Sequence, residues 1–317
     1  ARTDSTKKTV AGSAIDAAHN EILMDRSGLL SCSTMEDDFL HSIRHMKKLS
    51  SIVIYAILLF LAITMLIPFL WMVSTSLKTD LEVYSYPPTV IPKDIKWSNY
   101  PEALTLQPFG RFFFNSVVVA FFSVAGQLIF CSMAAYAFAR LRFRWRDKIF
   151  ALYLATMMVP AIVTLIPAFL LIAAFGWMNT YYALIAPTLS SVWGIFLLRQ
   201  FFQTIPKDLE DAARIDGAGD FAIYRKVILP LSKPALATVA IFGFMSAWKD
   251  FLWPLVVTNH NDMRTVEVGI AQFNSVYTTD WPHQMAAVVV VMLPILLVFF
   301  FAQRYFVRGI TFTGLKG

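Results

Sequence analysis

Six apolar stretches of about twenty residues each constrain this chain more than any other feature of its sequence. They run from Ile52 to Val73, Phe113 to Ala139, Ile149 to Phe175, Tyr182 to Phe202, Pro234 to Val257 and Gln284 to Ala302. A backbone placed in hydrocarbon must satisfy its own N–H and C=O groups, so runs of this length predict helices. Mean hydropathy of +0.59, with 57% hydrophobic and 15% charged residues, lies outside the soluble range. The expectation is an all-α polytopic membrane protein with six transmembrane helices.

The connecting segments carry the charge. Lys and Arg number three over 44–48, five over 140–148, six over 199–233 and three over 304–316, against four over 78–111 and one over 258–283. The positive-inside rule then puts both termini and the 203–233 loop in the cytosol, and explains the net charge of +6 without nucleic acid. Three divisions follow. Residues 1–50 form a cytosolic tail, polar and without a signal-peptide core over Ala1–Ser33. Over Met35–Leu49, Phe39, Ile43 and Met46 recur at helical spacing beside Arg44, Lys47 and Lys48, as in a short interfacial helix. Residues 51–303 form the six-helix domain and 304–317 a cytosolic tail.

Chemistry of the enzymatic kind is not supported. No Gly-rich loop ends in Gly-Lys-Ser or Gly-Lys-Thr, and the histidines and carboxylates form no spaced nucleophile and base set. Cys32 and Cys131 suit neither a disulfide framework nor a thiolate metal cluster. His41 and His45 share a helix face but have no third ligand nearby, so no metal site is expected.

Between the fourth and fifth windows, Pro206–Pro230 reads PKDLEDAARIDGAGDFAIYRKVILP. Pro206 suits a first helical turn; Leu209, Ala212, Ala213 and Asp216 recur at helical spacing; Gly217 can stop that helix, and a second can start at Asp220. This pattern resembles the EAA loop of type I ABC importer permeases, with Glu210, Ala212, Ala213, Asp216, Gly217, Ala218, Ile228, Leu229 and Pro230 at the family's positions and Asp211 replacing a usual Ala. Asn115-Ser116, the 134–140 segment Ala-Ala-Tyr-Ala-Phe-Ala-Arg and the tail from Gln303 to Gly317 are similar to the carbohydrate-uptake subgroup, the tail to its maltose-type second permease. The resemblance implies a type I importer fold in a bacterial or archaeal inner membrane, and uptake of a saccharide or glycerol-phosphate-like solute. It also implies a heterodimer with a second permease subunit, two ATPase subunits that hold ATP and Mg, and an extracytoplasmic solute-binding protein. Glu210 would be the polar anchor of the loop on the ATPase.

Lys249 lies roughly 22 Å along a fifth helix counted from Pro234 at about 1.5 Å per residue, toward the outer side. An ionisable group at the membrane centre costs about 2.5–3.5 kcal/mol, so Lys249 and Asp250 call for a cavity or a partner. The family generally has Asn at Lys249. Either Lys249 attracts an acidic saccharide in a pathway also lined by Asp250, Trp253 and Asn115, or it snorkels outward and acts structurally. Trp248, Phe251 and Trp253 fit sugar stacking or an interfacial aromatic belt. Pro160, Pro167 and Pro187 fit pathway breaks or packing kinks. The Pro-rich Tyr86–Tyr100 loop fits a binding-protein contact or a plain connector. An ion-coupled secondary transporter or channel is the rival function, with Asp250 as its candidate intramembrane carboxylate.

Overall fold

The computed structural model describes residues 51–274 and 278–311, with side chains through 303. The expected tail, its interfacial helix, Cys32, His41, His45 and the end of the C-terminal segment lie outside the described residues.

Two units make up the chain, dividing after Leu70. The first is the start of helix α1, Ser51–Ser76, in which every side chain from 51 to 70 is exposed. A helix apolar on all sides is stable only when hydrocarbon or another apolar subunit covers it.

The second unit opens with the short α2 (Asp80–Val83) and α3 (Asn99–Leu106), which flank the Pro-rich loop. Asn99 is buried there and its Nδ2 donates to the carbonyls of Ser76 and Lys78, both at 2.9 Å, so the loop closes onto the end of α1. Next come α4 (Phe109–Arg140), α5 (Arg146–Ala155), α6 (Ala161–Ala174), α7 (Tyr181–Ile185) and α8 (Val192–Thr204). The loop helices are α9 (Asp208–Ile215), α10 (Asp220–Ile223) and, after a π turn over Tyr224–Ile228, α11 (Leu229–Leu231). The remaining described helices are α12 (Lys233–Trp248), α13 (Leu252–Val257), α14 (Val266–Ala271) and α15 (Trp281–Thr311).

Helix α4 is the axis of this unit, packed between α8 and α12, while α12 packs in turn on α15. Its buried stripe is small or polar, including Ser116, Ala120, Ser123, Gly126, Gln127, Ser132 and Ala135. Small side chains let helices approach closely in a membrane, where no hydrophobic effect drives them together. A Cβ on Gly126 would sit 2.3 Å from Leu189 Cδ2, which shows how close that approach is. Polar groups along the stripe bond to neighbouring segments: Ser123 Oγ meets Thr188 Oγ1 at 2.6 Å, Gln127 Nε2 donates to the Thr188 carbonyl at 3.0 Å, and Ser132 Oγ meets the Tyr224 hydroxyl at 2.7 Å.

Among the described residues four helices are long and apolar enough to cross a membrane, Ser51–Ser76, Phe109–Arg140, Tyr181–Thr204 and Trp281–Gln303, or up to six if each of two bent helix pairs is one span. The third and fifth windows are broken rather than continuous. The third turns through 100° between Met158 and Ala161. Pro160 explains the break, since it lacks an N–H and forces Val159 out of the helical region, to φ −81°, ψ 118°. Each half is about 20 Å long at 1.5 Å per residue, short of a core about 30 Å thick. The fifth stops at Trp248 rather than reaching Val257; Lys249–Phe251 leave the helix, and α13 restarts with Asp250 Oδ1 accepting from the Trp253 N–H at 3.3 Å. That segment also turns through 79° where α11 meets α12.

Candidate functional site

Local rules account for the shape of the Pro206–Pro230 loop. Asp208, Glu210 and Asp211 occupy the first turn of α9 and Arg214 its last, both favourable to the helix dipole. Gly217 sits at φ +81°, a left-handed conformation natural to glycine. The Ala218 N–H donates to the Ala213 carbonyl at 2.9 Å and the Gly217 N–H to that of Arg214 at 3.0 Å, the paired bonds of a Schellman cap. Arg214 then reaches Asp220 at 2.9 Å, tying α9 to α10.

The inner side of the loop is anchored in the membrane domain. Ala213 and Ala218 pack against a core of Tyr136, Phe150, Leu198, Phe202, Ile223 and Ile228. Glu210 meets Arg140, the last residue of α4, at 2.7 Å from Nε to Oε1, with side chains 3% and 5% exposed. The two atoms are close enough for an ion pair, but the N–H is not aligned for a hydrogen bond. Arg140 Nη2 instead donates to the carbonyls of Phe202, at 2.6 Å, and Ile205, which close the last turn of α8. One guanidinium thus joins the ends of α4, α8 and α9.

The outer side of the loop is open and carries both apolar and charged side chains. Ala212, Asp216 and Gly217 are exposed, beside Leu209, Ile215 at 87% and Phe221 at 66% exposure. These large apolar side chains stand exposed among Asp208, Asp211, Arg214 and Asp220. Glu210 therefore faces inward, and the residues that face outward include Ile215 and Phe221, which motif reading passed over. Their signal is the spacing of Leu209, Ala212 and Ile215 on the helix side away from Glu210.

The proposed solute-path residues fall in two places. Asn115 is fully buried; its Nδ2 donates to the carbonyls of Asp262 and Arg264 at 2.8 Å each, and its Oδ1 accepts from the Tyr181 hydroxyl at 2.7 Å. Ser116 Oγ accepts from the Val266 N–H at 2.9 Å, so this pair of residues pins the 262–266 segment. Trp253, on α13, donates its indole N–H to the Ala183 carbonyl at 2.9 Å, on the short helix α7 that also supplies Tyr181 to Asn115. Trp248 is buried and donates to the Val291 carbonyl at 3.2 Å. Lys249 and Phe251 are exposed at the break that follows α12, and Asp250 between them caps α13. Lys249 lies within electrostatic reach of Glu267, whose carboxyl burial pushes above the usual range and the ammonium partly pulls back.

Residues 127–312 match the family described as binding-protein-dependent transport system inner membrane component. The arabinooligosaccharides transport system permease protein AraQ of Halalkalibacterium halodurans is 35% identical over 261 residues, covering 81% of this chain and 94% of that protein. The sulfoquinovosyl glycerol transport system permease protein SmoH of Agrobacterium fabrum is 37% identical over 254 residues, covering 80% of this chain and 89% of its own. A chain from the crystal structure of a bacterial ABC transporter involved in the import of the acidic polysaccharide alginate superposes with a TM-score of 0.72 at 27% identity, covering 82% of this chain and 97% of that one. The matched family region contains the Arg140 junction and the whole Pro206–Pro230 loop. The chain belongs to the binding-protein-dependent transport system inner membrane component family, as a non-enzymatic permease subunit with the type I ABC importer fold.

Proposed function

We propose that this subunit carries a saccharide across the inner membrane in concert with a second permease subunit, driven by two ATPase subunits that bind ATP and Mg and supplied by an extracytoplasmic solute-binding protein. The observation that carries the coupling part is the two-sided loop: an exposed apolar face of Leu209, Ile215 and Phe221, backed by a buried Arg140–Glu210 pair that ties it to α4 and α8. Motion of a docked ATPase would pass through that junction into the central helix and reorient the membrane path. Ala212, Asp216 and Gly217 stand on the docking side, Ala213, Ala218 and Glu210 on the transmitting side. The Lys and Arg distribution supports placing this loop and both termini in the cytosol.

Saccharide as the solute class is supported by relatives named for arabinooligosaccharides and sulfoquinovosyl glycerol, and by the neighbour named for alginate import. Membership of a binding-protein-dependent family leaves no ground for an ion-coupled carrier or channel. Within the proposed path, Lys249 is an exposed cation at the break after α12, next to Asp250, which accepts from the start of α13, while Trp253 and Asn115 hold the α7 and 262–264 segments.

Transport into proteoliposomes that hold the complete assembly tests this reading. Uptake of an oligosaccharide should require both ATP and the binding protein. Lys249→Asn should reduce uptake of an acidic oligosaccharide more than that of a neutral one. Equal effects on the two solutes would remove Lys249 from substrate recognition, and uptake driven by an ion gradient without ATP would overturn the importer itself.

A further inference from the structure

The turn between α4 and α5 holds a second feature that coupling does not use. Arg142, Arg144, Arg146, Lys148 and Lys207 line an open concavity of about 720 Å³ together with Phe143, Trp145 and Asp147, five cations against one carboxylate. Asp147 is already engaged, by Arg146 at 3.1 Å and Arg199 at 3.6 Å. Among the described residues no carboxylate pairs with Arg142, Arg144, Lys148 or Lys207, and all four are exposed.

The arrangement is more specific than a basic loop set by topology. Trp145 takes a left-handed backbone, φ +72°, rare for an aromatic residue. Its ring lies under two of the cations, Lys148 Nζ at 4.7 Å and the Arg144 guanidinium at 5.8 Å from the centroid. Cation–π contact of this kind orients charges that otherwise wander. The ring remains 56% exposed and Phe143 41% exposed, at the point where the apolar helix α4 has just ended. Exposed aromatics at a span end sit among lipid headgroups, and arginine forks suit phosphate oxygens.

We propose that this concavity binds the phosphate-bearing headgroup of an anionic phospholipid of the inner leaflet, with Arg142, Arg144, Lys148 and Lys207 on the phosphate and Phe143 and Trp145 in the interfacial layer. The inference rests on the cytosolic placement of this turn and is independent of which solute is carried. Charge and flanking aromatics together select a lipid over a soluble anion, since a free anion has no use for the exposed rings. The Lys207 edge adjoins α9, so a filled site would also brace the base of the coupling loop.

The test uses the complete transporter in nanodiscs of equal parts phosphatidylcholine and phosphatidylglycerol, followed by native mass spectrometry of the lipid retained on release. Wild type should retain phosphatidylglycerol in preference to phosphatidylcholine. Arg142→Gln, Arg144→Gln and Lys148→Gln combined should lose that preference, each neutralised cation weakening binding about fivefold. Arg225→Gln with Lys226→Gln, exposed cations elsewhere on the cytosolic loop, should leave it intact. A second readout keeps wild-type charge: the fluorescence component absent from Trp145→Phe should be quenched more by brominated phosphatidylglycerol than by brominated phosphatidylcholine. Equal retention by wild type and the triple variant, equal quenching by the two lipids, or displacement by inorganic phosphate would each overturn the proposal. So would loss of the ATPase subunits from the triple variant with lipid retention unchanged, because the concavity would then face protein.

Discussion

Removing Arg140 should harm this protein more than removing Glu210, and removing both should harm it less than removing Arg140 alone. The two side chains are 3% and 5% exposed and meet at 2.7 Å. Breaking such a pair from one side leaves an uncompensated buried charge, at a cost of about 3–5 kcal/mol. Glu210→Ala incurs that cost alone. Arg140→Ala strands the carboxylate and also frees the carbonyls of Phe202 and Ile205, each a further ~1–3 kcal/mol if unmet. The double change Arg140→Met with Glu210→Leu removes both charges and keeps only the carbonyl penalty, so it should be less damaging than Arg140→Ala. Unfolding free energies from denaturant titration in mixed micelles, followed by circular dichroism, give the three values directly. Strict additivity of the two single changes, or a neutral Glu210→Ala, would refute the junction as an energetic unit.

Three further outcomes follow from particular contacts. Gly217→Ala forces a side chain into a left-handed position at φ +81° and should cost about 1–2 kcal/mol, with Gly217→Asn milder; hydrogen exchange at the amides of Gly217 and Ala218 reads the loosened cap. Asn115→Leu leaves the carbonyls of Asp262 and Arg264 without their donor, about 1–3 kcal/mol for each left unmet, and should speed proteolysis of the 258–266 segment. Burial raises the Glu267 carboxyl above its unfolded value near 4.5, so the associated stability is full below that value and is lost as pH rises through the folded one. The 258–271 segment should therefore be better protected from exchange in mild acid than at neutral pH, once intrinsic exchange chemistry is corrected; Glu267→Gln should abolish the difference and Lys249→Asn should move it to higher pH.

The sequence carries the membrane character and the helix–Gly–helix form of the Pro206–Pro230 loop plainly, because both rest on local rules: apolar run length, first-turn acids and a left-handed glycine. Breaks were less legible. A hydropathy window averages over Pro160 and over Lys249–Phe251, so two segments that read as continuous are divided by a missing N–H and by an aspartate cap. Tertiary partners were not legible at all. Nothing local says that Glu210 turns inward to an arginine at the end of α4, or that Asn115 gives its amide to carbonyls of the 262–266 segment. The motif marked Glu210 as a residue of the loop, while its direction depends on how α4, α8 and α9 converge.

Photocrosslinking from the exposed face of α9 tests the coupling claim most directly. A benzophenone side chain placed at Ile215, which is 87% exposed, in the transporter expressed from its native locus should form a covalent adduct with the ATPase subunit. Adducts confined to the second permease, or no adduct in a transporter that still hydrolyses ATP on demand from its solute, would contradict the account.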